Sequence, residues 1–324
     1  MQVQLILVAI VLAVSAEENV ELFANFKRKH GKSYSLLENE LRFQIFQENL
    51  NKIEEHNALY EKGEVSWKMG LNQFADLTAE EFAALTPKWN TDIMNRTRAQ
   101  NPNKLILVED VAVPSSFDWR EKGAVTNVKS QESCGGCWSF SATGALESHQ
   151  FIKTGKLVSL SEQNLLDCAG RAYGNAGCNG GVMDYAFDYV KDNGIESEED
   201  YPYEARDGTC RYSKSKSVLS GKGYVDIYNN ENKLLQVVAT IGPVSISVDA
   251  DYFQFYSSGV FNAPQCTTDV DHGILIVGYG EENGIKYWIV KNSWSADFGE
   301  KGYIRMQRGI NQCGLAMWPV YPLL

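Results

Sequence analysis

A cysteine that follows a run of small residues has the clearest chemical potential in this chain. Cys137 closes the stretch Cys-Gly-Gly-Cys and opens a segment whose apolar residues recur at helical spacing as far as a stop at Gly155. A thiol at a helix N-terminus faces unpaired N–H groups and the positive end of the helix dipole, which favour the thiolate. Gln131, six residues earlier, could donate an amide N–H there. We interpret Cys137 as a candidate nucleophile and Gln131 as a candidate oxyanion donor.

Other functions of the Cys134-x-x-Cys137 pair stay open at this point. A zinc site would need two more clustered ligands, and the sequence has no second Cys-x-x-Cys and no His-x3-His. A thioredoxin-type redox pair should follow a strand in a βαβ unit, whereas polar sequence precedes Cys134. The third alternative is one disulfide beside one buried thiol.

A cysteine nucleophile needs a base, because a free thiol has a pKa of about 8.5 and is mostly protonated at neutral pH. The chain has four histidines. His30 and His56 lie before the processing point proposed below. His149 lies on the same predicted helix as Cys137, about 18 Å further along its axis, so it cannot reach the thiol. His272 remains as the candidate base.

A predicted hairpin supplies a partner for His272. A strand-like run begins at His272, Glu281–Gly284 has the composition of a hairpin turn, and the return strand ends at Asn292. A four-residue loop would bring position 292 or 293 opposite His272. The Asn292 oxygen would then orient the imidazole and leave its other nitrogen for the thiol, with Trp294 as a cover. This is the logic of a catalytic triad, although a histidine at a strand end is more often a core residue.

Composition restricts where such a site would operate. The net charge of −11 argues against nucleic acid and anionic membranes as partners and suits an acidic lumen. Met1–Ala16 is apolar, too short to span a bilayer, and ends in Val-Ser-Ala, which is typical of a signal peptide although it lacks Lys and Arg. No other segment is long and apolar enough to span a membrane. We therefore expect a luminal or extracellular protein.

The seven cysteines all follow residue 130. An odd number in a secreted chain leaves one free thiol, and six paired cysteines allow 15 connectivities among which the sequence alone does not choose.

The N-terminal part is charged and helical in pattern over residues 17–60. Six residues at steps of four, four, three, four and four share one helical face. They are Glu38, Arg42, Phe46, Asn49, Ile53 and Asn57. Gly70–Asp76 alternates in a way that predicts a short strand or extended turn, and Thr78–Glu81 predicts a capped helix start. Residues 87–113 have linker composition and carry a glycosylation sequon at Asn95.

From Pro114 onward the composition is that of a compact domain. Helical runs are predicted near 137–153 and 180–193, and strands over 243–249, 273–280, 286–291 and 303–307. A helix-rich half followed by a strand-rich half predicts an α+β fold with two packed lobes.

These motifs together resemble the papain family of cysteine proteases, and the cathepsin L group in particular. The nucleophile signature around Cys137, Asp-His-Gly at His272 and Asn-Ser-Trp at Asn292 match the family, with His272 and Asn292 at 135 and 155 residues from the cysteine. The two N-terminal patterns described above match its propeptide motifs in full. The resemblance extends over nearly the whole chain after residue 16.

The resemblance implies a papain-like two-lobed fold, with a helical lobe and a β-barrel-like lobe, preceded by a helical inhibitory propeptide. It implies a signal peptide over 1–16, a propeptide over 17–112 and a peptidase domain over 113–324. Cys137 would be the nucleophile, His272 and Asn292 its partner and orienting group, and Gln131 with the Cys137 N–H the oxyanion hole. No cofactor or metal is expected.

Further residue roles come from the same resemblance. The family's disulfides would join Cys134 to Cys178, Cys168 to Cys210, and Cys266 to Cys313. Gly180 and Gly181 would let an extended substrate backbone approach. The pocket for the second residue before the cut would be lined by Val182, Met183, Ser247, Val270 and Trp318. Asp271 and Trp294 are also expected to bind the substrate. Most pocket residues are apolar, so we expect an apolar preference there.

Several positions depart from the family pattern. Glu132-Ser133 replace Gly-Gln, Gly136 replaces Ser, and Trp318 stands where a small residue is usual. After the Asn-Ser-Trp motif, Ser295 replaces Gly and Phe298 replaces Trp. Glu132 adds negative charge near the nucleophile and Trp318 could partly fill the specificity pocket, so activity could be weakened or redirected.

The leading hypothesis is a cysteine endopeptidase made as a zymogen, with a lysosomal or secreted setting that includes a digestive lumen. Its partners would be protein and peptide substrates, its own propeptide as inhibitor and cystatin-type inhibitors, acting on a monomer. Propeptide carboxylates that are paired in the precursor, notably Glu38 and Asp76, would lose their stabilising charge as the pH falls. This would loosen the propeptide and predicts activation at acidic pH. The alternatives are a non-catalytic relative that binds peptides or inhibits proteases, and a thiol–disulfide oxidoreductase using Cys134 and Cys137.

Overall fold

The computed structural model describes residues 18–86, 111–227 and 229–324. The predicted signal peptide and the Asn95 sequon lie outside the described residues. In the described part, none of the helices combines the length and the apolar character needed to span a membrane.

The N-terminal segment, residues 18–86, is mainly helical. Residues 18–29 form helix α1, followed by α2 (Leu36–Glu61), strand β1 (Trp67–Met69) and α3 (Ala79–Ala83). Helix α3 begins at the predicted capping box, in which the Thr78 side chain accepts from Glu81 N and Glu81 accepts in return from Thr78 N. Of the two alternatives for Gly70–Asp76, the structure has the turn and not the strand: β1 ends at Met69, and residues 73–76 form turns.

The helical lobe is built around α4 (Cys137–Thr154), with α5 (Glu162–Cys168) and α6 (Met183–Asp192) beside it. Helix α4 ends at the predicted stop, where Gly155 adopts a left-handed φ of +74°. Twelve of its 18 residues are buried, including Trp138, Ala142, Ala145 and Leu146. This central helix therefore places its first residue, Cys137, at a rigid position.

The second lobe is a sheet that carries helix α7 (Glu231–Thr240) and also packs against α4 of the helical lobe. Its strands are β2 (Phe117–Asp118), β5 (Gly223–Asp226), β6 (Val244–Val248), β7 (Tyr256–Phe261), β8 (His272–Glu282), β9 (Ile285–Lys291), β10 (Tyr303–Gln307) and β11 (Val320–Leu323). The order is β1-β7-β10-β9-β8-β6-β11-β5, with β2 beside β8. Strands β3 (Ile195–Glu196) and β4 (Ser217–Leu219) form a separate pair in the helical lobe. The predicted α+β architecture with two lobes is confirmed.

The β8–β9 hairpin has a shorter loop than the sequence suggests. Glu281 pairs with Lys286 and Glu282 with Ile285, so only Asn283 and Gly284 form the turn. Their φ values of +52° and +81° suit the Asn-Gly pair, which tolerates left-handed backbone at both positions. The prediction of a four-residue loop is thus wrong by two residues. The register of the β8–β9 pair also changes at an irregularity between Ile276 and Gly278.

The N-terminal segment is docked on the sheet lobe through β1. Strand β1 pairs antiparallel with β7 and becomes the edge of the sheet. Ser66 Oγ donates to the Val260 carbonyl at 2.6 Å, and Trp67 Nε1 donates to the Asn262 carbonyl at 3.1 Å. The Trp67 ring is buried against Phe261 and belongs to the core of the sheet lobe.

Candidate active site

Cys137 is the first residue of α4 and the single unpaired cysteine of the chain, since all seven lie in the described residues. The other six form the disulfides Cys134–Cys178, Cys168–Cys210 and Cys266–Cys313, the pairs that the family resemblance implies. Because Cys134 is bonded to Cys178, the Cys134–Cys137 pair required by a thiol–disulfide oxidoreductase is not formed in this structure.

The Cys137 thiol is buried, with 2% of the residue exposed. Burial raises the pKa of the thiol to about 12, although hydrogen bonds from the N–H groups of Gly273, Trp138 and Cys137 itself act in the opposite direction. The expectation of a thiolate at the helix N-terminus is therefore wrong for this form of the protein. Loss of solvation raises the pKa of Cys137 more than the N–H groups at the helix N-terminus lower it, so the nucleophile is held as a neutral thiol.

His272 opens β8 and is fully buried. Its Nε2 lies 2.7 Å from Asn292 Oδ1, which also accepts the Ser293 N–H at 2.7 Å. Because Oδ1 is an acceptor, Nε2 carries the ring hydrogen and Nδ1 presents a lone pair. Nδ1 has no hydrogen-bond partner among the described residues. Burial lowers the pKa of the imidazole to about 4, so the ring is neutral here.

The imidazole of His272 and the thiol of Cys137 are brought together through Gly273, which follows His272 in the chain. Gly273 approaches the start of α4 so closely that a Cβ on it would lie 3.2 Å from the Trp138 Cα and 3.3 Å from the Trp138 N. The Gly273 N–H is also close enough to the Cys137 sulfur to act on the pKa of the thiol, which it lowers. The strand that carries the imidazole therefore passes directly beside the helix that carries the thiol.

Trp294 covers the imidazole, as the sequence predicts. Its ring stacks on His272 with a centroid distance of 4.5 Å. Phe74 and Phe82 of the N-terminal segment pack edge-on against Trp294, and Gln73 Nε2 donates to its carbonyl at 2.7 Å. The N-terminal segment thus seals the side of the site on which the imidazole lies.

Gln131 is buried in the loop before α4. Its Nε2 donates to the Cys134 carbonyl at 3.0 Å, and its Oε1 accepts from Ser293 Oγ at 2.7 Å. The Tyr203 hydroxyl donates to the Gln131 carbonyl at 2.8 Å. The amide N–H therefore points toward the segment Cys134–Cys137, where an oxyanion donor is required.

Gly180 and Gly181 have different structural reasons for being glycine. Gly180 has a φ of +104°, and a Cβ there would meet nothing within 4 Å, so its backbone is open to an approaching chain. A Cβ on Gly181 would lie 2.5 Å from Asn175 Oδ1 and 2.8 Å from Trp138 Cε2. Gly181 is thus explained by close packing inside the protein.

The residues expected to line the specificity pocket lie in three parts of the structure. Val182, Val270 and Trp318 form a buried apolar cluster of their own, between the start of α6 and the segment before His272. Met183 belongs to the core of the helical lobe, with its sulfur 3.3 Å from the Cβ position of Gly273. Ser247 is buried on β6 opposite Gly273 in the ladder.

Asp271 has a structural contact that the sequence does not indicate. One of its carboxylate oxygens accepts the Ala250 N–H at 2.9 Å. The side chains of Asp249, Asp251 and Asp271 bring carboxylate oxygens within 4.8 Å of one another. Asp249 also accepts from Thr267 N at 2.7 Å, so at least two of the three carboxylates tie loops together.

A buried charge cluster behind the site was missed by the sequence reasoning. Lys129 Nζ lies 2.7 Å from Glu162 Oε1 and 3.4 Å from Glu147 Oε1. Burial acts to lower the pKa of Lys129, but the two carboxylates outweigh it and the pKa rises. Lys291, which precedes Asn292, donates to Thr126 Oγ1 at 2.9 Å, and Thr126 donates to Glu147 at 2.6 Å. No local sequence pattern signals these contacts, which join distant segments.

The departures from the family pattern are accommodated without disturbing the site. Ser295 takes a left-handed φ of +64°, the conformation that favours glycine, and Glu132 is exposed with a φ of +52°. Phe298 is fully buried and packs against Trp294 with ring centroids 5.0 Å apart. Gly136 precedes α4 and makes no side-chain cap.

Comparison with known proteins agrees with this geometry. The family described as papain family cysteine protease matches residues 113–323. The chain belongs to the papain family. A second family, the cathepsin propeptide inhibitor domain, matches residues 23–82 of this papain-family protease and covers most of the described N-terminal segment.

Relatives that align over nearly the full length of the chain belong to the cathepsin L group of the papain family. A cathepsin L-like peptidase of Aedes aegypti is 48% identical, and the alignment covers 100% of both chains. Cathepsin L of Sarcophaga peregrina is 48% identical over 98% of this chain and 97% of its own. The structure of digestive procathepsin L 3 from the Tenebrio molitor larval midgut has a TM-score of 0.88 at 46% identity, covering 94% of this chain and 99% of that one. This papain-family protein is a cathepsin L-like cysteine peptidase made as a zymogen.

Proposed function

We propose that Cys137 and His272 carry out peptide hydrolysis, with Asn292 orienting the imidazole and Gln131 stabilising the oxyanion. The observation that supports this most directly is the state of the His272 ring. One nitrogen is held by Asn292 at 2.7 Å, and the other presents an unused lone pair beside the helix that begins at the only free thiol. Buried polar atoms of folded proteins usually have a partner, so the open Nδ1 favours a use in the reaction.

The chemical steps follow from these positions. The thiol proton passes to Nδ1 of His272, and the sulfur attacks the carbonyl carbon of the scissile bond. The carbonyl oxygen becomes an oxyanion, which the Gln131 amide and the Cys137 N–H stabilise by about 2.7–4 kcal/mol for each donor. The imidazolium protonates the leaving amine as the C–N bond breaks. Water, deprotonated by His272, then hydrolyses the thioester and returns the thiol.

The precursor state disfavours this chemistry. Burial raises the pKa of the Cys137 thiol and lowers that of His272, and both shifts favour the neutral pair over the thiolate–imidazolium pair. We infer that removal of the propeptide restores solvation of the cleft and allows proton transfer. The N-terminal segment acts in this way as the inhibitor of its own peptidase domain.

The finer assignments belong to the same proposal. We place the signal peptide at 1–16, the propeptide at 17–112 and the peptidase domain at 113–324, with glycosylation possible at Asn95. Gly180, Gly181, Asp271 and Trp294 would border the substrate, and Val182, Met183, Ser247, Val270 and Trp318 would give the apolar preference at the second residue before the cut. The setting would be an acidic compartment, lysosomal or secreted into a digestive lumen. Cystatin-type inhibitors would bind the monomeric enzyme.

The first experiment replaces Cys137 by Ser in the full precursor. The variant is processed in trans by a trace of tagged wild-type enzyme that is then removed, and hydrolysis of a fluorogenic peptide is measured. Activity should fall to background, whereas near wild-type hydrolysis would contradict the proposal.

A matched pair of histidine variants tests the base. His272→Ala should lower kcat by about 10²–10⁴-fold, the usual contribution of a general acid–base group. The control is His149→Gln, because His149 is also buried but its Nε2 donates to the Pro243 carbonyl at 2.9 Å, away from the site. Its processed enzyme should retain activity per folded molecule. Equal losses in both variants would mean that His272 is structural.

A further inference from the structure

Glu132 places a negative charge at the rim of the site. It directly follows Gln131, so the Cα atoms of the two residues are about 3.8 Å apart. Gln131 is buried, whereas Glu132 is exposed even with the propeptide in place. Burial is the largest cause that raises the pKa of the Tyr203 hydroxyl, and the charges of Glu132 and Cys137 are among those that raise it further. The carboxylate and the nucleophile therefore lie near the same hydroxyl group.

The backbone of Glu132 has a conformation that is unfavourable for a residue with a side chain. Its φ of +52° lies in the left-handed region that favours glycine. The Glu132 N–H donates to the Ser130 hydroxyl at 3.2 Å, which helps to hold this conformation. Within the described ranges, the Glu132 carboxylate makes no hydrogen bond and no ion pair. A strained, exposed charge that contributes no contact to the fold points to a function in recognition.

The loop that carries Glu132 runs along the side of the site from which the amine leaves. In the proposed mechanism His272 protonates that amine, and Trp294 stacks on its ring. An antiparallel bridge between Ser130 and Trp294 joins the first part of the loop to this side. The disulfide of Cys134 instead joins the later part of the loop to the glycine-containing segment that is proposed to meet the residues before the cut. We therefore expect the residues after the cut to pass closer to the Glu132 carboxylate than those before it.

A carboxylate held on that side discriminates between substrates by charge. It attracts a cationic side chain of the substrate and repels an anionic one. We propose that Glu132 is a specificity-determining residue that favours lysine or arginine at one of the two substrate positions directly after the cut. This inference rests on the proposed function, because it uses the direction of the bound peptide that the mechanism requires.

The test uses two sets of internally quenched peptides. In one set the first residue after the cut is Lys, Gln or Glu, and in the other set the second residue is varied in the same way. Wild-type, Glu132→Gln and Glu281→Gln enzymes, each processed from the full precursor, are compared by kcat/KM. Glu281 is the matched control, because it is an exposed carboxylate at the opposite end of β8 from His272.

In one of the two sets, wild-type enzyme should prefer Lys to Gln by about twofold to fivefold, the range of an exposed ion pair, and should disfavour Glu by a similar factor. Glu132→Gln should remove this ranking, and Glu281→Gln should keep it. The preference for Lys should also disappear between about 0.01 M and about 1 M salt, over which the Debye length falls from about 30 Å to about 3 Å. A ranking that does not depend on salt would overturn the inference.

Two further outcomes separate specificity from other effects of the substitution. If Glu132→Gln changes kcat/KM by the same factor for every peptide, the inference is wrong, because Glu132 would then act on the catalytic groups or on the fold. Glu132→Gly removes the same charge and suits the left-handed backbone, so it should also abolish the ranking even if the Gln variant folds poorly. Equal cleavage of all peptides by wild-type enzyme would refute the charge preference and leave the proposed function intact. Hydrolysis of the peptides by Cys137→Ser would instead mean that the proposed function fails.

Discussion

The propeptide and the peptidase domain are stabilised in different ways. In the longest propeptide helix, α2, four of 26 residues are buried, whereas in α4 of the peptidase domain 12 of 18 are buried. The propeptide has a small apolar cluster of its own, with four buried members, Phe23, Phe26, Phe46 and Ala75. All three disulfides lie in the peptidase domain.

The propeptide relies instead on its partner domain and on ion pairs. Trp67 and Phe82 are members of the core of the sheet lobe. Arg42, on α2, donates to Glu81 at 2.6 Å and to the Asp76 carbonyl at 3.1 Å. The buried Asp76 carboxylate is paired with Lys32 at 2.9 Å and bonded by the Tyr34 hydroxyl. We therefore infer that weakening a few contacts releases the propeptide while the cross-linked peptidase domain stays folded.

The largest expected effect comes from removing the Trp67 anchor. Trp67→Ala deletes a buried indole that reaches into the sheet lobe, which costs about 3–5 kcal/mol of docking free energy. The precursor should then hydrolyse a fluorogenic peptide at pH 7 about 10² to 5 × 10³ times faster than wild-type precursor. Leu36→Ala, at a propeptide leucine that is 93% exposed, is the control and should leave the precursor latent. A latent Trp67→Ala precursor would show that docking does not depend on this ring.

A smaller effect is expected from the buried ion pair. Asp76→Asn keeps the shape of the side chain but removes the charge opposite Lys32, at a cost of about 1.5–3 kcal/mol for a charged hydrogen bond. Conversion of precursor to mature enzyme, followed by gel electrophoresis, should occur at higher pH than in wild type. Glu40→Gln, at an exposed carboxylate of α2, should behave as wild type. An unchanged pH midpoint of conversion would show that the Asp76–Lys32 ion pair does not hold the propeptide in place.

The smallest effect concerns a histidine beside the anchor. His56 packs on Trp67 with ring centroids 4.1 Å apart, and its Nε2 lies 2.9 Å from the Trp67 carbonyl. Burial lowers the pKa of His56 below its ordinary 6.5, despite the opposing backbone hydrogen bond. The folded precursor therefore favours the neutral ring. This stabilisation is complete above pH 6.5 and is lost as the pH falls through the lowered pKa.

His56→Gln should consequently move the pH midpoint of precursor conversion to a lower value. The comparison variant is His30→Gln, because burial also lowers the pKa of His30 but its ring contacts Phe26, within the propeptide's own cluster. We expect the larger shift from His56, since only His56 touches the docking strand. Equal shifts would mean that the stability of the propeptide, and not its docking, controls conversion.

Much of the site could be predicted because it depends on local pattern and on elimination. The positions of His30, His56 and His149 in the chain exclude them as partners of Cys137, and the β8–β9 hairpin brings Asn292 to His272 even though its loop is two residues shorter than expected. Side chains alternate with a period of two residues along a strand, so a loop error of two residues keeps the same face toward the partner strand, whereas an error of one would have reversed it. The capping box at Thr78 and the helix end at Gly155 could be predicted because each depends on a few neighbouring residues.

The protonation state of Cys137 and the contacts between the lobes depend on how distant segments pack, which no local pattern shows. The sequence indicated a thiolate at Cys137, but desolvation depends on every chain segment that covers the thiol, and burial reverses the effect of the helix N-terminus. The bond from Ser293 to Gln131, 162 residues apart, and the cluster of Lys129 with Glu147 and Glu162 depend likewise on how the lobes meet. Residue types and spacings identify the reacting groups, whereas burial and the packing of distant segments determine when they can react.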